Sequence, residues 1–181
     1  MNPVSNRNHL ALPVGERDHF QGRSNASITL VEYGDYQSPN CAQVHRIIQE
    51  IQQRLGEQLR FVYRHFPCPE IHPDAQHAAE AAEAAGRQGK FWQMHDCLFA
   101  NQHALNNGYL LDYATALELD VIQFLQEMTG DVHVVRVQED RDSGVHSGVI
   151  RTPTFFINNV RHDGDWDGES LLSAIAQAQN L

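Results

Sequence analysis

Ile28-Thr29-Leu30-Val31-Glu32-Tyr33, then Gly34-Asp35-Tyr36-Gln37, then Ser38-Pro39-Asn40-Cys41: the reading of this stretch decides the fold. The first six residues form an apolar strand pattern, and the next four a short turn. Pro39 suits a first helical turn, because its missing N–H would be unpaired there in any case, and Ser38 before it is a good cap. Val44, Ile47, Ile48, Ile51 and Leu55 then recur at helical spacing, with Gln, Arg and Glu between them, until Gly56 ends the run. A second strand pattern over 59–64 completes a β-α-β opening.

Beyond it, 72–128 reads as almost wholly helical. An alanine-rich segment over 77–85 is closed by Gly86 and Gly89. Phe91, Trp92, Met94, His95, Leu98 and Phe99 form the apolar side of a second helix. Leu110, Tyr113, Ala114 and Leu117 mark a third, and 121–128 a fourth after an Asp120 cap. Asp131 is expected to cap a helix carrying Val132, Val135 and Val137 towards Gly144. Thr154-Phe155-Phe156-Ile157 is a strand that turns at Asn158-Asn159, a hairpin signal, into a partner near 160–162. An amphipathic helix over 168–179 closes the chain. Residues 1–25 read as an N-terminal arm, and 26–181 as one α/β domain with a helical insertion at about 70–130.

The chain has 181 residues, enough for one domain with a sizeable core. Its 13 basic and 23 acidic side chains leave a formal charge of -10, which disfavours nonspecific binding to nucleic acid or an anionic membrane surface. Residues 1–21 lack the apolar core of a secretory signal, so a cytoplasmic location is expected. No segment approaches a membrane span. The three cysteines, at 41, 68 and 97, are too few and too irregular for a disulfide scaffold or a common zinc pattern. Among the eleven histidines, His65, His72 and His77 lie close together near Glu70 and Asp74. Prolines stiffen that path and no His-x-x-x-His pair occurs on one helix, so no metal site is expected.

Five pieces in order carry a family resemblance: Pro13-Val14-Gly15-Glu16-Arg17-Asp18-His19; Val31-Glu32-Tyr33-Gly34-Asp35-Tyr36-Gln37; Arg64-His65-Phe66-Pro67; Gly89-Lys90-Phe91-Trp92-Gln93-Met94-His95-Asp96; and Thr152-Pro153-Thr154-Phe155-Phe156-Ile157-Asn158. Together they resemble the thioredoxin superfamily in its bacterial DsbA-like branch of thiol–disulfide oxidoreductases. The resemblance implies an α/β, thioredoxin-like fold with an inserted helical subdomain. It also implies a C-x-x-C at the start of the first long helix, a cis proline opposite it and a buried acid in the first strand. Pro153 matches the proline, Glu32 the acid and Cys41 the second, resolving cysteine. Ser38 stands in the attacking position.

That replacement matters chemically. The leading cysteine of such a motif is made a thiolate by unpaired helix amides, whereas a serine hydroxyl cannot form a disulfide. A two-cysteine cycle at 38 and 41 is excluded. Three readings remain open. Cys41 acts alone as a monothiol, with glutathione or another small thiol as co-substrate. Alternatively, Ser38 holds a glutathione thiolate, as in a transferase or isomerase. In the third, the groove beside Pro153 is a non-catalytic binding site for a peptide or protein. The catalytic candidates are Cys41, Ser38 and Glu32, and the substrate-binding candidates are Pro39, Asn40, Thr152 and Pro153. No tightly bound cofactor is expected. The expected partners are a thiol or disulfide substrate (peptide, protein or glutathione), with no nucleic acid and no membrane, and the resemblance allows a homodimer.

Overall fold

The computed structural model describes residues 8–179. At its centre is a five-stranded sheet built from β1 (His19–Gln21), β2 (Ile28–Gly34), β3 (Leu59–His65), β4 (Thr154–Ile157) and β5 (Val160–His162), in the spatial order β1-β3-β2-β4-β5. β2 and β3 run parallel, joined by the crossover helix α1 (Pro39–Leu55), and every other pairing is antiparallel. The β4–β5 hairpin turns on Asn158 and Asn159, both at positive φ (47° and 74°), as a tight two-residue turn demands.

Between β3 and β4 come α2 (Ala75–Arg87), α3 (Phe91–Ala100), α4 (Asn107–Ala116), α5 (Val121–Thr129) and α6 (Val134–His146), and α7 (Gly168–Ala178) ends the described chain. Apolar residues on one sheet face (Ile28, Leu30, Phe61, Phe155, Ile157) pack under α1, α7 and the inserted helices. The alternate residues Val31, Tyr33, Val62 and Phe156 point to the other face and meet Leu10, Phe66 and Val149. α2 reads as alanine-rich because it is buried almost all round: Ala75, Ala78, Ala81, Ala82, Ala84 and Ala85 are fully covered, so neighbouring helices approach its backbone closely.

Two expectations change here. Residues 19–21, assigned to the arm, form the sheet edge against β3, and three residues are too few to show strand alternation in sequence. Before them, the buried Arg64 guanidinium donates to Asp18 (2.8 and 3.0 Å) and to the Leu12 and Pro13 carbonyls, which binds this segment to the sheet. Residues 1–7 of the proposed arm lie outside the described residues. Secondly, Asp131 does not cap α6: it sits in the preceding turn at φ 52°, and His133 is the N-cap. Among the described residues no helix is long and apolar enough to cross a membrane.

Candidate functional site

β2 delivers Glu32 to the sheet face that α1 covers, and the turn over 35–38 aims α1 back across that face. Asp35 is the hub of the turn. Its Oδ1 accepts from Gln37 N at 2.8 Å, and its Oδ2 accepts from Cys68 N at 3.0 Å and bonds His72 Nδ1 at 2.9 Å. Its carbonyl accepts from Ser38 N. Gln102, from the insertion, donates to the carbonyls of Tyr36 (2.8 Å) and Ser38 (2.7 Å), so the start of α1 is clamped from both sides. Gly34 permits the approach of Tyr63, because a Cβ there would fall 2.4 Å from the tyrosine ring.

Ser38 is the N-cap residue of α1, but its hydroxyl caps no helix amide. This corrects the capping expectation: Ser38 holds the N-cap position without a capping hydrogen bond. The Cys41 thiol one turn on has the Ser38 and Thr152 side chains and the Asp35 main chain around it. Cys41 is 0% exposed and Ser38 only 4%, whereas Pro39 and Asn40 are exposed. Burial, and next the Glu32 carboxylate, hold the Cys41 thiol far above the ordinary thiol range. The hydrogen bonds from Asp35, Ser38 and Thr152 oppose this and do not overcome it. Burial alone pushes the Glu32 carboxyl up to about 8, and its Oε1 is buried without a hydrogen-bond partner.

The Thr152–Pro153 peptide bond is cis, and Pro153 is buried at the start of β4 beside β2. The structure therefore gathers Ser38, Cys41, Glu32 and Thr152 around one sulfur, with Pro39 and Asn40 at its outer rim. Cys68 packs with the cluster on the opposite sheet face, and Cys97 lies on α3, with its sulfur 3.8 Å from the Asn101 amide nitrogen. All three thiols are free. Asp35 as a hub and Gln102 as a clamp were not legible beforehand. The only local signal was an aspartate in a turn, a residue type at home there for its own sake.

Residues 15–177 match the family model described as Thioredoxin, and the chain belongs to that family. BdbD from Bacillus subtilis, in its oxidised form, superposes with a TM-score of 0.86 at 20% identity, covering 96% of this chain and 99% of that one. Wolbachia pipientis alpha-DsbA1 gives 0.80 at 20% identity over 94% of each chain. Both have the sheet with an inserted helical subdomain found here. By sequence, the chain is 44% identical over 170 residues to a Na(+)/H(+) antiporter NhaA 1 of Salinispora arenicola, covering 93% of this chain and 26% of that protein. The chain thus spans about a quarter of the length of the curated relatives it matches. The cytoplasmic placement does not stand against these likenesses, since BdbD and the DsbA proteins are extracytoplasmic oxidoreductases.

Proposed function

We propose that this domain is a redox-silent DsbA-like module that binds an extended polypeptide reversibly at the groove edged by Pro39, Asn40 and Thr152-Pro153. The observation that carries this reading is the state of Cys41, whose sulfur is fully buried and held protonated beside a serine. A monothiol attack needs a solvent-reachable thiolate, and the resting fold supplies neither access nor charge. The transferase reading needs the Ser38 hydroxyl open to a bound thiolate, and a residue only 4% exposed weighs against that. Exposed Ile150 and Ile71, near Thr152 and His72 in the chain, offer apolar contacts to a bound segment.

Exchange on a glutathionylated peptide is the test, run on the wild type, Cys41→Ala and Ser38→Cys. Silence in the first two, with activity gained in Ser38→Cys, is expected, because the change restores a cysteine pair at the start of α1. Wild-type turnover that Cys41→Ala abolishes would return the chemistry to Cys41 as a monothiol.

The 44% identity to an antiporter favours a second, compatible reading, in which the domain is an accessory module of a sodium–proton antiporter. Co-purification of the chain with an antiporter transport module is expected. If a Thr152→Arg change in the groove leaves that capture intact, the two readings separate.

A further inference from the structure

Among the described residues, two clusters of histidine and carboxylate groups draw together, one of them a turn beyond Cys41 on α1. The first, His65, Glu83 and Asp140, is buried and already neutralised. Glu83 bonds His65 Nε2 (2.9 Å) and His19 Nε2 (3.0 Å), and Asp140 accepts from Arg17 (2.9 Å) and Arg136. The two guanidinium groups supply the positive charge that a metal ion would bring, and repel one.

The second cluster has no such cation on it. His45 of α1 meets His95 and Asp96 of α3, with one ligand atom from each residue within 4.8 Å of the other two. His45 Nε2 and Asp96 Oδ1 are 3.3 Å apart. A tetrahedral ion with ligand bonds of about 2.0–2.2 Å places neighbouring ligand atoms at roughly that separation. Gln49, one turn along α1, has its amide nitrogen 3.2 Å from His45 Nε2.

His95 is bonded through Nδ1 to the Tyr36 hydroxyl at 3.0 Å, which leaves coordination to Nε2 and provides the outer partner that metal-binding imidazoles carry. Both rings are held: His45 lies on Phe99 with centroids 4.8 Å apart, and His95 is edged by Tyr63 at 4.6 Å and Trp92 at 5.0 Å. The side chains grade outward, His95 being buried, His45 13% exposed and Asp96 53% exposed. An ion and its water can therefore enter from the Asp96 side.

The geometry points to a zinc-class metal site that joins α1 to the helical insertion through His45, His95 and Asp96, with water completing the shell. Two imidazoles and one carboxylate suit zinc or another late first-row divalent ion, not calcium or magnesium, which take oxygen ligands. The site is independent of how Ser38 and Cys41 are read. Its ion would tie the helix that begins at Ser38 to the subdomain that clamps it.

The test is a zinc titration of untagged, chelator-stripped protein against a chromophoric competitor, with bound metal counted by elemental analysis. One zinc ion per chain is expected. His45→Ala and Asp96→Asn are each expected to weaken binding by at least about tenfold, and loss of the outer partner in Tyr36→Phe by roughly tenfold at unchanged stoichiometry. His103→Ala, an exposed histidine on the neighbouring turn, is expected to bind as the wild type does. Cobalt is expected to give a visible spectrum of low-coordinate N/O ligation that His45→Ala abolishes. Asp96 is exposed, so its amide variant keeps the fold and a loss there reads out ligation. Absence of saturable wild-type binding, or binding that either His45→Ala or Asp96→Asn leaves unchanged, overturns the site.

Discussion

The Glu32 carboxyl lies beside the Cys41 thiol under α1, and the environment opposes ionisation of both. Burial is the larger cause for each. A charged Glu32 would further oppose a thiolate at Cys41, so the pair is most stable with both protons on.

This fixes the sign of a pH effect. The folded Glu32 titrates at about 8, above its ordinary 4.5, so its contribution to stability is complete below that ordinary value. It falls as pH rises through the window up to about 8 and is gone above it. Glu32→Gln is expected to flatten this decline. The variant should gain on the wild type by up to a few kcal/mol between pH 5 and pH 8.5, measured by urea denaturation. An identical pH profile in the two proteins would mean that Glu32 does not titrate in this window.

Thiol labelling separates the cysteines. Cys68 and Cys97 are half-buried, whereas Cys41 is fully covered. Iodoacetamide at neutral pH, followed by peptide mass spectrometry, is expected to label Cys68 and Cys97 slowly and Cys41 only as fast as the protein opens. Cys41 labelling first would contradict the protonated, covered thiol on which redox silence depends.

Arg64 and Asp18 form a buried ion pair. Removing one partner leaves the other charge uncompensated, so Arg64→Ala or Asp18→Ala is expected to cost about 3–5 kcal/mol. The double variant should lose much less than the sum. Additive losses in a double-mutant cycle would show that the two residues act separately.

Glu83 gives the opposite pH sign to Glu32. Burial alone would raise its carboxyl, but the hydrogen bonds from His19 and His65 and their charge hold it well below the usual carboxylate range. Its stabilisation is present above the ordinary carboxylate pKa and lost as pH falls below it. Glu83→Gln is expected to lower the melting temperature at pH 7 and to make the acid limb shallower. A wild-type acid limb no steeper than the variant's would remove Glu83 from the acid response.

Much of this protein was legible along the chain. The β2–α1–β3 opening follows from period-two and helical apolar spacing. The β4–β5 hairpin follows from two adjacent asparagines that tolerate positive φ, and α7 from its apolar stripe. These signals are local, since each element writes its burial into residues two, three or four apart. The family resemblance named Glu32, Ser38, Cys41 and Pro153 as candidates, and of these Glu32 and Ser38 lie beside the Cys41 sulfur.

Tertiary structure decided the rest. That Ser38 stands at the N-cap of α1 without capping it, and that Cys41 is fully covered, no spacing encodes. Asp35 reaches Cys68 and His72 more than thirty residues away, Gln102 clamps a turn over sixty residues back, and His45 finds His95 and Asp96 fifty residues on. Such contacts arise only when one helix is laid across another. Single polar side chains meeting at that distance leave no period in the chain, so only the packing could reveal them.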